Sequence, residues 1–180
     1  MTLRELRLKA IWLIVVPFFL FVRPTFESVA WGAALACVGL WIRGWSAGTI
    51  HKDEVLTTTG PYAFTRNPLY VGSFLIGAGV TLAGGHWVWP VVFLLFYGVV
   101  YSRTMAHEAT RLTELFGDEY RGYAAHVPGF LPRTTPHRGS VLGREGGFRW
   151  SQYKRNREWE ALLGALAAFG VLLLRSFWPG

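Results

Sequence analysis

Three short stretches carry the residue types that could bind or transform a small molecule. The first is Thr57-Thr58-Thr59-Gly60-Pro61-Tyr62-Ala63-Phe64-Thr65-Arg66-Asn67-Pro68-Leu69-Tyr70-Val71-Gly72. Gly60-Pro61 marks a turn. Pro68 suits the first turn of a helix, where its missing N–H costs nothing. Arg66 and Asn67 are thereby placed at a helix N-terminus, whose free N–H groups and dipole favour a carboxylate or phosphate. Arg66 adds a planar donor fork. The same residues also suit an ordinary interfacial helix start, so spacing leaves both readings open.

The second stretch comprises Tyr97, Tyr101, Met105, Glu108 and Leu112. Steps of three and four put them on one helical face. Glu108 is thus carried past an apolar run on the same helix, with Arg103 and His107 nearby. A carboxylate there could accept hydrogen bonds from a ribose or an ammonium group, or pair with Arg111 at a solvated helix end. The third stretch is Leu115-Phe116-Gly117-Asp118-Glu119-Tyr120-Arg121-Gly122-Tyr123, followed by Val127-Pro128-Gly129-Phe130-Leu131-Pro132. Gly117 can end one helix and Asp118 can cap the next. Tyr120 and Tyr123, one turn apart, could wall a ligand or pack a cap onto the helices beneath.

The elements that must position these residues are apolar. The chain is 52% hydrophobic and 16% charged, against a usual charged share of about 25%. A soluble domain of 180 residues cannot hide that much apolar surface, so lipid is the expected solvent. Five apolar stretches stand out: about 10–22, 28–42 with a continuation toward residue 50, 69–83, 87–105 and 162–178. Arg23-Pro24 ends the first, because a residue before proline disfavours helix. Gly84-Gly85 ends the third. Helices are expected because lipid offers no partner to open backbone groups, and the alternating segments of a membrane barrel are absent. The expected fold is all-α: an integral membrane bundle of about five transmembrane helices with a cytoplasmic helical cap. Residues 1–133 form its core. Residues 134–180 form a Gly-, Pro- and Arg-rich linker, a basic aromatic interfacial segment and one further span.

Sixteen of the 18 Lys and Arg residues fall in the N-terminal tail, in 43–66 or in 103–157, all on one side of a five-span bundle. The positive-inside rule makes that side cytoplasmic. A net charge of +7 is therefore assigned to membrane orientation, and nucleic acid is not an expected partner. The first run follows Arg4, Arg7 and Lys9 but lacks a small-x-small cleavage site, so no cleavable signal is expected. The single cysteine, Cys37, permits no intrachain disulfide or cysteine-based metal centre. Glycine-rich phosphate loops, HExxH and clustered histidines and the GxSxG elbow are all missing. No metal is expected.

From about Arg43 to Pro132 the chain resembles the isoprenylcysteine carboxyl methyltransferase and phospholipid methyltransferase superfamily. Gly60-Pro61-Tyr62, Arg66-Asn67-Pro68-Leu69-Tyr70-Val71-Gly72, Glu108 with Leu112, Phe116-Gly117-Asp118-Glu119-Tyr120, Tyr123 and Val127-Pro128 carry the likeness. The resemblance implies S-adenosylmethionine-dependent methyl transfer at the cytoplasmic membrane face to a lipophilic acceptor, isoprenoid-linked or phospholipid-like, with cofactor motifs at 51–72 and 103–132. Matched by position, Glu54, Val55, Leu56, Thr57 and Tyr62 would line the nucleoside and methionine pocket. Arg66, Asn67, Pro68, Leu69 and Tyr70 would line the cofactor as well, and Glu108 would hold a polar part of it. The family's substrate arginine falls on Thr104, which leaves the neighbouring Arg103 as the candidate, with Glu108 the candidate base for an amine acceptor. Asn67 stands where many relatives have histidine and cannot carry a charge. Two other classes fit less of the pattern: a nicotinamide-dependent membrane reductase of related architecture, and a membrane scaffold without enzymatic activity.

Overall fold

The computed structural model describes residues 15–51, 55–137 and 147–178. Glu54, most of the linker expected from residue 134, and the start of the first apolar run lie outside the described residues. Among the described residues every regular element is a helix. Residues 15–21 form α1, followed by α2 (Phe26–Thr49), a 3-10 turn (Gly60–Ala63), α3 (Pro68–Ala83), α4 (Val88–His126), α5 (Trp150–Arg155) and α6 (Trp159–Ser176).

The helix ends follow the local chemistry. Thr25 caps α2 by accepting from the Ser28 amide at 3.1 Å, and Ser28 Oγ accepts from the Thr25 amide at 3.0 Å. This reciprocal pair satisfies two donors that a bare helix start would strand. Pro68 occupies the first position of α3, as its fixed φ predicts. At the far end of the bundle, Arg175 of α6 donates to the last-turn carbonyls of α1, Phe19 and Leu20. It thereby satisfies acceptors that α1 itself cannot.

Three of these helices, α2, α4 and α6, are long and apolar enough to cross a membrane. The apolar α3 has 16 residues, a rise of about 24 Å against a hydrocarbon core of about 30 Å. On one side α3 is pressed against α2 nearly backbone to backbone. A Cβ added at Gly39 would lie 2.6 Å from the Gly72 carbonyl oxygen, and one at Gly79 would lie 3.0 Å from the Ala36 amide nitrogen. Such small-residue seams are how helices associate where lipid removes the hydrophobic driving force. Phe18, Val22, Val29, Ala83 and Leu172 form a buried cluster joining α1, α2, α3 and α6.

The long α4 is two helical segments joined at Gly117, whose φ of 54° and ψ of −126° suit glycine rather than an L side chain. The break ends the first segment, as its position in the sequence predicts. Asp118 accepts from Arg121 at 2.7 Å in an exposed pair. The second segment carries Tyr120 and Tyr123 into a second buried cluster with Leu56 and Val127.

Candidate functional site

The segment before α3 and the segment after the α4 break are stitched together by a strap of chain, residues 127–137. The Arg66 amide donates to the Pro128 carbonyl at 2.9 Å, and Asn67 Nδ2 donates to the Gly129 carbonyl at 2.7 Å. Thr65 Oγ1 donates to the Phe130 carbonyl at 3.0 Å. The Arg133 and His137 amides donate to the Phe64 and Ala63 carbonyls, each at 2.9 Å. From the second segment of α4, the Tyr123 hydroxyl donates to the Tyr62 carbonyl at 2.7 Å. Arg66 Nη1 donates to the Tyr120 hydroxyl at 3.2 Å while its guanidinium lies 6.0 Å from that ring.

Between these stretches lies a pocket with about 610 Å³ of empty space, counting the solvent at its mouth. Thr57, Arg66, Asn67 and Glu108 supply its polar groups, and Val55, Leu56, Ala109 and Leu112 its apolar wall. Tyr62, Tyr120 and Tyr123 also line it. Glu108 is oriented by Tyr70, whose hydroxyl donates to Glu108 Oε2 at 2.9 Å. The two stretches that sequence spacing singled out therefore meet.

Two buried polar atoms at this pocket have no hydrogen-bond partner among the described residues: the Tyr62 hydroxyl and Arg66 Nε. A buried donor left unpaired costs about 1–3 kcal/mol, and native proteins rarely carry one without a use for it. Burial holds the Tyr62 phenol well above its ordinary titration range, with Tyr123 and Glu108 adding to the shift and Arg43 opposing it. Tyr62 is therefore a neutral O–H donor at physiological pH.

Most of the residues singled out in the sequence line this pocket: Val55, Leu56, Thr57, Tyr62, Arg66, Asn67 and Glu108, with Tyr70 bonded to Glu108. Pro68 and Leu69 do not. Pro68 is buried against the α2 side of α3, beside Trp41 and Val71, and the Leu69 carbonyl accepts from Arg43 at 3.3 Å. Arg103 is exposed and lines neither this pocket nor the apolar groove described below. Five residues separate it from Glu108, about 140° around a helix of 3.6 residues per turn, so the two side chains leave α4 on different faces. Tyr101 is in register with Glu108 and stacks on Tyr97 at 3.9 Å.

Sequence reasoning missed Arg43 and Glu158. Arg43 Nε donates to Glu158 Oε1 at 2.5 Å and Nη2 to Oε2 at 3.0 Å, and the glutamate is only 6% exposed. The available signal was a charge at the edge of each of two apolar runs, because ionisable groups at membrane depth pair with one another.

Among the described residues the chain is an all-helical bundle with three helices long and apolar enough to cross a membrane, and it holds a polar pocket where one of them leaves its apolar stretch. Residues 28–119 match the phospholipid methyltransferase family, and the chain belongs to that family. It is 35% identical over 82 residues to the protein-S-isoprenylcysteine O-methyltransferase of Schizosaccharomyces pombe, covering 46% of this chain and 35% of that protein. It is 29% identical over 109 residues to the rat protein of the same name, covering 58% of this chain and 38% of the relative. The cobalt-zinc-cadmium resistance protein CzcN of Cupriavidus metallidurans is 33% identical over 109 residues, 60% of this chain and 49% of that protein. The chain thus spans between about a third and a half of the length of these curated relatives. No solved structure matches it.

Proposed function

We propose that the chain is an S-adenosylmethionine-dependent methyltransferase that acts at the cytoplasmic membrane face on a lipophilic acceptor. The observation that carries this reading is the pocket between Arg66 and Glu108, with the unpartnered Tyr62 hydroxyl buried at it. Family membership and the similarity to isoprenylcysteine methyltransferases support it. In this reading α1 and α3 join α2, α4 and α6 as the five membrane-crossing elements, and the strap and second α4 segment face the cytoplasm.

The residues fit the proposed cofactor chemically. Glu108, fixed by Tyr70, offers a carboxylate to ribose hydroxyls or an ammonium group, and Arg66 offers a fork to a carboxylate. Tyr62 has a free O–H for an acceptor atom, and Leu56, Ala109 and Leu112 present an apolar wall to a purine face. When bound, S-adenosylmethionine supplies a methyl group on a sulfonium, which passes in line to an acceptor lone pair while the electrons of the broken bond remain on sulfur. The protein's work is to orient the two partners and exclude water, for which well-positioned reactants gain about 7–11 kcal/mol. A carboxylate acceptor needs no base. For an amine acceptor, Glu108 is the proposed proton acceptor, provided it releases the Tyr70 hydroxyl.

Calorimetric titration of the detergent-purified protein tests the reading. Saturable S-adenosylmethionine binding is expected, weakened at least tenfold in Glu108→Ala and in Arg66→Ala. Absence of binding, or a preference for NADPH, overturns it.

A further inference from the structure

A second cavity has Tyr101 in its lining, and the Tyr101 ring meets that of Tyr70, the partner of Glu108, edge to face at 5.5 Å. It holds about 1,380 Å³ of empty space, counting its open flank, between α1, α3, α4 and α6. Its lining is almost wholly apolar, and its charged end is Arg43 beside Ser73 and Tyr101. From Trp89 to Tyr101 the α4 wall rises about 18 Å at 1.5 Å per residue. One wall is made by α6, which presents Ala161, Gly164, Ala165 and Ala168 to the space. This helix lies beyond the family-matched residues, which end at 119. The Arg43–Glu158 pair anchors it, since Glu158 directly precedes α6. The outward side chains of the same helices, Leu95, Leu163 and Leu166, are exposed, so the medium that supplies an occupant is lipid.

We propose that α6 is the width-setting wall of an acceptor groove that seats one apolar chain of a membrane amphiphile, with the polar end of the chain beside Arg43, Ser73 and Tyr101. The assignment rests on the methyltransferase reading for its use, but on the cavity alone for its occupancy. The groove lies among helices whose outward side chains are apolar and exposed, it is linked to the polar pocket through Tyr101, Tyr70 and Glu108, and Phe93, Phe96 and Tyr97 of α4 line it together with the small residues of α6. Arg43 is charge-matched by Glu158 and also donates to Leu69 and Ser73. The polar end therefore offers local hydrogen bonding without a large net field. At Gly164 an added Cβ would meet no atom within 4 Å, so a larger side chain there enters the groove rather than a packed interface.

The test uses the full chain reconstituted in phosphatidylcholine nanodiscs and two diazirine-tagged probes, a farnesylcysteine and a palmitoyl chain. Crosslinking of wild-type protein is expected at groove residues of α4 and α6 for one or both probes. Gly164→Leu and Ala168→Leu are each expected to cut that labelling at least fivefold and to raise KM for a long-chain acceptor more than for a short-chain one. S-adenosylmethionine affinity should stay within twofold. Leu166→Ala, on the exposed face, is expected to label like wild type. Unchanged labelling in both filled-groove variants, or wild-type labelling confined to the outward face, overturns the proposal. If wild type labels in the groove but binds no S-adenosylmethionine, the groove assignment stands and the methyltransferase reading falls.

Discussion

The two sides of α3 solve opposite problems. Toward α2, Gly39, Gly72 and Gly79 bring backbone against backbone and leave no room for a methyl group. Toward α4 and α6, the helix faces a cavity and an array of aromatic rings, with Phe74 against Phe93, Tyr97 and Phe130. The tight face fixes the start of α3, and with it Asn67 and Tyr70. The loose face keeps space beside that fixed point. The proposed site, which would admit an apolar partner while holding a polar one, needs both, because a close-packed interior leaves no such space of its own.

The same substitution on the two sides gives the sharpest contrast and the largest expected effect. Gly39→Leu drives a side chain into the Gly72 carbonyl and the Ile76 side chain, and overpacking of this kind costs about 3 kcal/mol or more. The variant is expected to lose its cooperative thermal transition in detergent or to melt far below wild type. Gly164→Leu is expected to keep the wild-type melting temperature within a few degrees. Equal melting temperatures for the two would break the comparison of a filled seam with an open groove.

Next in size is the ion pair that ties the loose side to α2. Removing one partner of a buried pair leaves an uncompensated charge, at a cost of about 3 kcal/mol at the lower end of the measured range. The lower end applies because Arg43 is 23% exposed. Glu158→Ala is expected to lower the melting temperature clearly, and Arg43→Met with Glu158→Leu to recover most of the loss. A double variant as unstable as Glu158→Ala would show that the pair contributes geometry that apolar packing cannot replace.

Helical offsets made Glu108 and Leu112 of the pocket legible in the sequence, while Val55, Leu56, Thr57 and Tyr62 were named only through the family resemblance. Tyr97, Tyr101, Glu108 and Leu112 share a face by spacing alone, Pro68 announces the start of α3, and Gly117 announces the break in α4. The meeting of Tyr70 with Glu108 follows once both ends lie at the same membrane face. Arg103 leaves α4 about 100° around the helix from Thr104, the position the family resemblance points to. The Arg43–Glu158 pair spans 115 residues, and nothing local to either residue names the other. The strap was opaque for a different reason. It is held largely through carbonyls of Ala63, Phe64, Pro128, Gly129 and Phe130, and a backbone acceptor leaves no mark on residue identity. The wall that α6 gives the groove likewise consists of small residues, whose pattern also suits a lipid-facing helix.

The smallest expected effect concerns that strap, the third region to set beside the seam and the groove. The His137 ring stacks on His126 at 5.1 Å, and the His137 amide holds Ala63 next to Tyr62. Desolvation lowers the His137 pKa, and the neighbouring His126 and Arg133 lower it further. The folded state therefore binds this proton less readily than the unfolded chain, whose histidine titrates near 6.5. The strap's contribution is complete above about pH 6.5 and declines as the pH falls through that value. Amide exchange at Arg133 and His137, corrected for intrinsic rates, is expected to quicken modestly between pH 7.5 and 5.5, while amides in the α2–α3 seam hold constant. His137→Gln should flatten the dependence, because it removes the titrating group and leaves the backbone bond to Ala63 in place. If seam and strap respond alike, the acid sensitivity is global and does not belong to the histidine stack.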